Sequence, residues 1–199
     1  MTAYKVTSED VKDFWKYMKK KYDFSVVQKA DAKEMRAIAW ALDMMHIKDH
    51  KAFMENYNTT IGKTVYVNFE LGVGNQTDLV HQIKTCVHET QHVLQYKRNP
   101  LQFSVNYLRS DAARAHYETD AYRTTMEMHY FFTGRVLSAS SLAGLLKGYS
   151  IGTGDVHVAE KHLMTSSRLV EQGVIVSGIS KTAIKWWKKR IDGNKVVFA

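Results

Sequence analysis

Apolar residues recur at helical spacing through most of the chain. Thr7 and Asp10 stand as an N-terminal capping pair, and Val11, Phe14, Trp15 and Met18 follow on one face. Ala32, Met35, Ile38, Ala39 and Leu42 repeat that spacing after Asp31, and a shorter helix is expected from about Asp49 to Tyr57. The period then changes to two. Val65, Val67, Phe69 and Leu71 alternate with Thr64, Tyr66, Asn68 and Glu70, which predicts a half-buried strand over Ile61 to Leu71. Gly72, Gly74 and Asn75 end it, and a long helix is expected from Thr77 or Asp78, with Leu79, Val80, Ile83, Val87, Val93 and Leu94 as its apolar positions. Asn99-Pro100 stops that helix at Arg98. Further helices are expected from about Ala112 to Tyr130, from Asp155 to Gln172 and from Lys181 to Arg190, with glycine-punctuated loops and short helical pieces between Gly134 and Gly154.

This pattern predicts a helix-rich α+β fold with a small antiparallel sheet beside the central helices. No repeat, low-complexity stretch or Pro/Ser-rich linker divides it, so residues 1–199 are expected to form one domain. Within it, 1–60 would supply N-terminal helices, 61–130 the strand and central helices, and 131–199 the C-terminal helices.

Composition narrows the class. With 199 residues, 45% of them hydrophobic, and one proline, the chain has enough apolar surface for a sizeable core, which excludes a disordered tail. The lone Cys86 excludes a disulfide-stapled scaffold. Met1-Thr2-Ala3-Tyr4-Lys5 runs into charged residues instead of an apolar signal core, and no window approaches the roughly 18 apolar residues of a membrane helix, so a cytoplasmic, reducing location is expected. The formal charge of +8 suits an acidic or polyanionic partner. Part of it lies in Lys19, Lys20 and Lys21 and in Lys181, Lys185, Lys188, Lys189 and Arg190, where a solvated helix face explains it equally.

The chemistry is concentrated in His88-Glu89-Thr90-Gln91-His92, an H-E-x-x-H pattern inside the long helix. At about 100° per residue the two histidines lie about 40° apart around the axis and about 6 Å along it, so both imidazoles reach one ion. Zinc accepts neutral imidazole nitrogen readily and acidifies the water at its open position, and Glu89 stands where it can take the proton of that water. Nine His and nine Glu placed at random produce these three letters in about two of 100 such chains, so the pattern needs its context, a periodic helix preceded by a strand able to pair with an extended substrate.

Two imidazoles leave the ion short of a ligand. Gln95 and Arg98 stand where metzincins carry Gly and His or Asp, and Cys86, two positions before His88, faces the other side of the helix, which sets aside the cysteine ligand of peptide deformylases. A carboxylate from a following helix remains: Glu118, flanked by the small residues Ala115 and Ala121, with Asp120 as a rival. Over about Ile61 to Arg123 the arrangement resembles the gluzincin metallopeptidases, in which two helices supply His, His and Glu to one zinc. That resemblance implies a zincin-like fold, one Zn2+ held by His88, His92 and Glu118, Glu89 as general base, and hydrolysis of peptide bonds in a peptide or protein substrate. The strand near Val65 to Leu71 would hold the substrate backbone. The segment between the two helices departs from the family in length and sequence.

Other residues stay open. His81 shares the face of His88, and His116, Tyr122, His157 and His162 are candidates to stabilise an oxyanion. Trp186-Trp187 among lysines suits either a nucleic-acid element or an apolar helix face with a basic back. A zincin-fold component of a larger assembly, such as a phage particle, with little or no catalysis, is the alternative to the peptidase, and a virion location goes with it. A nucleic-acid binder gives no reason for His88, Glu89 and His92 to stand together.

Overall fold

The computed structural model describes residues 4–29, 40, 42–45, 55 and 57–197. The helices expected over Ala32 to Leu42 and Asp49 to Tyr57 lie, apart from single positions, outside the described residues. Helix α1 spans Ser8–Tyr22, opened by the expected capping box between Thr7 and Asp10. Three short strands follow: β1 (Ser25–Gln28), β2 (Thr59–Ile61) and β3 (Thr64–Val67). Helices α2 (Gln76–Arg98), α3 (Pro100–Arg109) and α4 (Asp111–Thr133) come next. Then come α5 (Ala139–Gly144), a 3-10 turn over Leu145–Tyr149, α6 (Thr153–Glu171) and α7 (Gly178–Val197). The helix-rich α+β expectation is met, and no helix among the described residues is long and apolar enough to cross a membrane.

The sheet differs from expectation in two ways. Its order is β1-β3-β2, with β2 antiparallel and β1 parallel to β3, so it is mixed instead of purely antiparallel. The single strand expected over Ile61 to Leu71 is instead the second arm of a hairpin and stops at Val67. Ile61 pairs with Thr64 across a two-residue turn whose first position, Gly62, has φ 63°, a conformation that glycine adopts without strain. Beyond Val67 the Asn68 amide donates to the Asn58 side chain at 3.1 Å instead of continuing the ladder. Phe69 and Leu71 still reach the core, Phe69 edge-on to Trp15.

Asn99-Pro100 ends α2, as expected, but also begins α3: the Asn99 side chain accepts from the Gln102 amide, and Pro100 sits in the first turn, where a missing N–H leaves nothing unsatisfied. The stretch between α2 and α4 is therefore a helix.

Two apolar clusters flank the α2–α4 pair. Phe14, Trp15 and Met18 of α1, Val65 and Val67 of β3, Ile83, Cys86 and Val87 of α2 and Trp187 of α7 form one. Tyr122 and Met126 of α4 with Leu142, Leu146 and Leu163 form the other. Trp187 is fully buried against Phe14 and Phe132, and Trp186 stacks on Tyr17, so the tryptophan pair joins α7 to α1. Arg190 of the same helix donates to Asp10 at 2.7 Å and also approaches Asp13.

Asp10 thus ties the first helix to the last. Burial raises its pKa, but the Thr7 amide, Arg190, the Thr7 hydroxyl and Tyr4 outweigh this and hold it below the ordinary carboxylate value. Asp10→Ala is expected to lower unfolding free energy by about 2 kcal/mol in urea titration at neutral pH. Because the native pKa is lowered, this contribution is present above the usual carboxylate pKa and fades as pH falls through the lowered value, so the two proteins should converge in strong acid.

Candidate metal centre

Helix α2 owes its start to Asn75, whose side chain accepts from the Thr77 and Asp78 amides while Asp78 returns a bond to the Asn75 amide. Four turns on, His88 and His92 face α4, where the buried Ala115 and Ala121 flank Glu118. One ligand atom each from His88, His92 and Glu118 lies within 4.8 Å of the others. His88 Nε2 is 3.5 Å from Glu118 Oε2, and His92 Nε2 is 3.3 Å from Glu118 Oε1. Direct charge-assisted bonds are shorter, about 2.7–2.9 Å. Ligands bound tetrahedrally at about 2.0–2.1 Å from one ion stand roughly 3.3–3.4 Å apart, close to these two imidazole–carboxylate distances.

Neighbouring side chains fix which nitrogen points inward. His92 Nδ1 lies 2.8 Å from Gln95 Oε1, and the Gln95 amide is oriented by donating from Nε2 to the Tyr117 carbonyl. His88 Nδ1 lies 3.1 Å from Thr125 Oγ1, whose own hydrogen is directed at the Ala121 carbonyl. Each Nδ1 therefore donates, and in the neutral ring each Nε2 turns a lone pair toward Glu118. Tyr107 Oη donates to Glu118 Oε1, while Glu118 Oε2 is buried with no hydrogen-bond partner among the described residues. Two imidazole lone pairs thus face the Glu118 carboxylate, one at each oxygen, and a divalent cation among them would satisfy the unpartnered Oε2. The residues present fit such an ion.

Protons compete for the same place. Burial disfavours a charged His92, but the Glu118 carboxylate outweighs it and raises the pKa to about 9. Burial likewise opposes ionisation of Glu118, and the two imidazoles more than reverse this, pulling it down. Burial, then the Glu118 charge, push Tyr107 well up, so it remains a donor.

Glu89 stands beside this group. Its Oε2 accepts from the Thr60 hydroxyl of β2 at 2.7 Å, and it lines both a narrow recess with His92, Tyr107 and Glu118 and a larger cavity of about 410 Å³. Lys29, at the end of β1, is buried nearby and donates to the Tyr57 carbonyl; burial, only partly offset by the charge of Glu89, lowers its pKa to about 8.

The other sequence candidates separate clearly. Asp120, two residues from Glu118 and so about 200° around the helix, pairs with Arg123 at 3.3 Å and lies outside the cluster. Cys86 is buried in the opposite core, as its position predicts. Tyr122 lines the cavity, edge-on to His88, and His81 lies at its rim. His116 is exposed and nearest Asp120, His157 nearest Glu160, and His162 is exposed on α6, so none of these three lines the cavity. The strand meant to carry substrate also changes: β3 is central, flanked by β1 and β2, whereas the outer edge of β2 pairs with no described strand. The supporting residues Gln95, Thr125, Tyr107 and Thr60 escaped the sequence reading. Gln95 three positions after His92 and Thr125 seven after Glu118 share the faces of those residues, a spacing that could have found them.

No family model matches the chain, and comparison with curated proteins and with solved structures gives no match either.

With zinc as probe ion, Thr125→Val and Gln95→Leu are each expected to weaken binding by about 10–100-fold in chelator competition. Binding must displace the His92 proton, so affinity should rise by up to about tenfold per pH unit and level off above about pH 9. Metal-free protein has the opposite dependence. The raised pKa means that the imidazolium–carboxylate pair stabilises fully below the ordinary histidine value, a contribution lost as pH rises through about 9.

Proposed function

We propose that this chain is a zinc-dependent peptidase whose ion is held by His88, His92 and Glu118 and whose general base is Glu89. The observation that carries the reading is the placement of one carboxylate, Glu89, beside a group of two imidazoles and a second carboxylate, Glu89 lining both the recess of His92 and Glu118 and the cavity of about 410 Å³ that His88 also lines. His88, His92 and Glu118 would hold the zinc ion, which would supply Lewis acidity toward a peptide carbonyl and a water.

The rest is done by the chain. Glu89 takes a proton from the attacking water and hands it to the leaving amine, and Thr60 holds the carboxylate in place for both transfers. Tyr122 and Tyr149 line the cavity with His88 and hydrogen-bond to each other, and burial pushes both pKa values well above the usual phenol value, so the pair keeps its protons, one of them available to a developing oxyanion. The outer edge of β2 offers extended hydrogen bonding to a substrate backbone.

Glu89→Gln is expected to keep one zinc per chain by elemental analysis while peptide turnover falls by about 10²–10⁴-fold. His92→Ala should lose both metal and turnover. Unchanged turnover in Glu89→Gln would overturn the proton-transfer role. Stoichiometric zinc with no cleavage of any peptide by the unaltered chain would favour the structural, assembly-component reading.

A further inference from the structure

The cavity beside Glu89 has two unlike walls. Leu137, Leu142 and Leu145 form one, and α2 presents Lys84, Thr85 and His88 on the other, Lys84 standing between this cavity and a second recess that His129 lines. Lys84 and His88 are four residues apart, hence on one face and about 6 Å apart along the axis. Resting on the peptidase reading, we propose that Lys84 is the recognition site for a carboxylate of the substrate, next to the residue whose peptide bond is cut.

Among the described residues, counter-charge is what Lys84 lacks. It is half-buried, and among the described residues no carboxylate pairs with it and no carbonyl accepts from it. Other cations near the core are engaged: Lys97 with Asp23 and the Tyr22 carbonyl, Arg123 with Asp120, Arg190 with Asp10. The charged groups that Lys84 does influence are His81 and His129, and it makes both harder to protonate. Asp78, the carboxylate that reaches His81, is committed to the N-terminal cap of α2. A half-buried ammonium without a partner is unfavourable by itself, and a bound anion relieves it. A cavity of about 410 Å³ with a leucine wall has room for an apolar side chain beside that anion. The carboxylate has two sources, the C-terminus of the substrate chain or an Asp or Glu side chain within it.

The test measures binding apart from turnover. Zinc-loaded Glu89→Gln protein is titrated calorimetrically with N-acetyl-Gly-Leu, with its C-terminal amide, and with N-acetyl-Gly-Asp amide. At least one carboxylate probe should bind about tenfold or more tightly than the Leu amide, an advantage lost in Lys84→Met and restored in Lys84→Arg. The preferred acid identifies the source: the Leu acid a C-terminus, the Asp amide a side chain. Equal binding of acid and amide, a preference surviving Lys84→Met, or no binding of any probe overturns the proposal. A parallel digest with the unaltered zinc-loaded chain separates the two ideas. Cleavage indifferent to carboxylates sinks the Lys84 role alone, whereas carboxylate-selective binding with no cleavage sinks the hydrolase and leaves the Lys84 site standing.

Discussion

A buried carboxylate oxygen with no hydrogen-bond donor among the described residues is the constraint on which the rest of this structure turns. Glu118 sits at the contact of the two longest central helices, with one oxygen held by Tyr107 and nearest His92 Nε2, and the other facing His88 Nε2. Such a group is tolerated only where a proton or a cation reaches it. Its surroundings serve that requirement. Small residues on α4 let α2 approach, Gln95 and Thr125 set the rings, and α3 carries Tyr107 over the acid, with its carbonyl held by Arg114 at 2.8 Å.

Much of this was legible in the chain because helical spacing carries both packing and chemistry. His88 and His92 had to share a face of any helix that contained them, and Glu118 was found from its small neighbours. Elements shorter than the period that reveals them were not legible. Ser25–Gln28 and Thr59–Ile61 contain too few residues for alternation to register, and β1 pairs in parallel with a strand far along the sequence. Phe69 and Leu71 kept the alternation going past the true strand end because the core beneath them is continuous. Pro100 was read as a stop and is also a start. The choice between Glu118 and Asp120 required the rotation of α4, which places the latter against Arg123.

Charge tells a similar story at the ends of the chain. In the basic C-terminal helix Arg190 meets Asp10 and Asp13, and the adjoining tryptophans fill the core between α1 and α7. This part of the positive run closes the fold, which leaves the half-buried Lys84 as a more telling cation than the exposed lysines that outnumber it.

The two-residue turn at Gly62 carries a burden out of proportion to its size. It sets which residue of β2 lies over α2, and the residue it selects is Thr60. Side chains alternate sides along a strand, so a slip of one position would swing the hydroxyl away and present Thr59 or Ile61 to Glu89 instead. The support given to Glu89 and the alignment of the hairpin are thereby made the same property: lengthening this loop by a single amino acid would withdraw the hydroxyl while leaving His88, His92 and Glu118 where they stand.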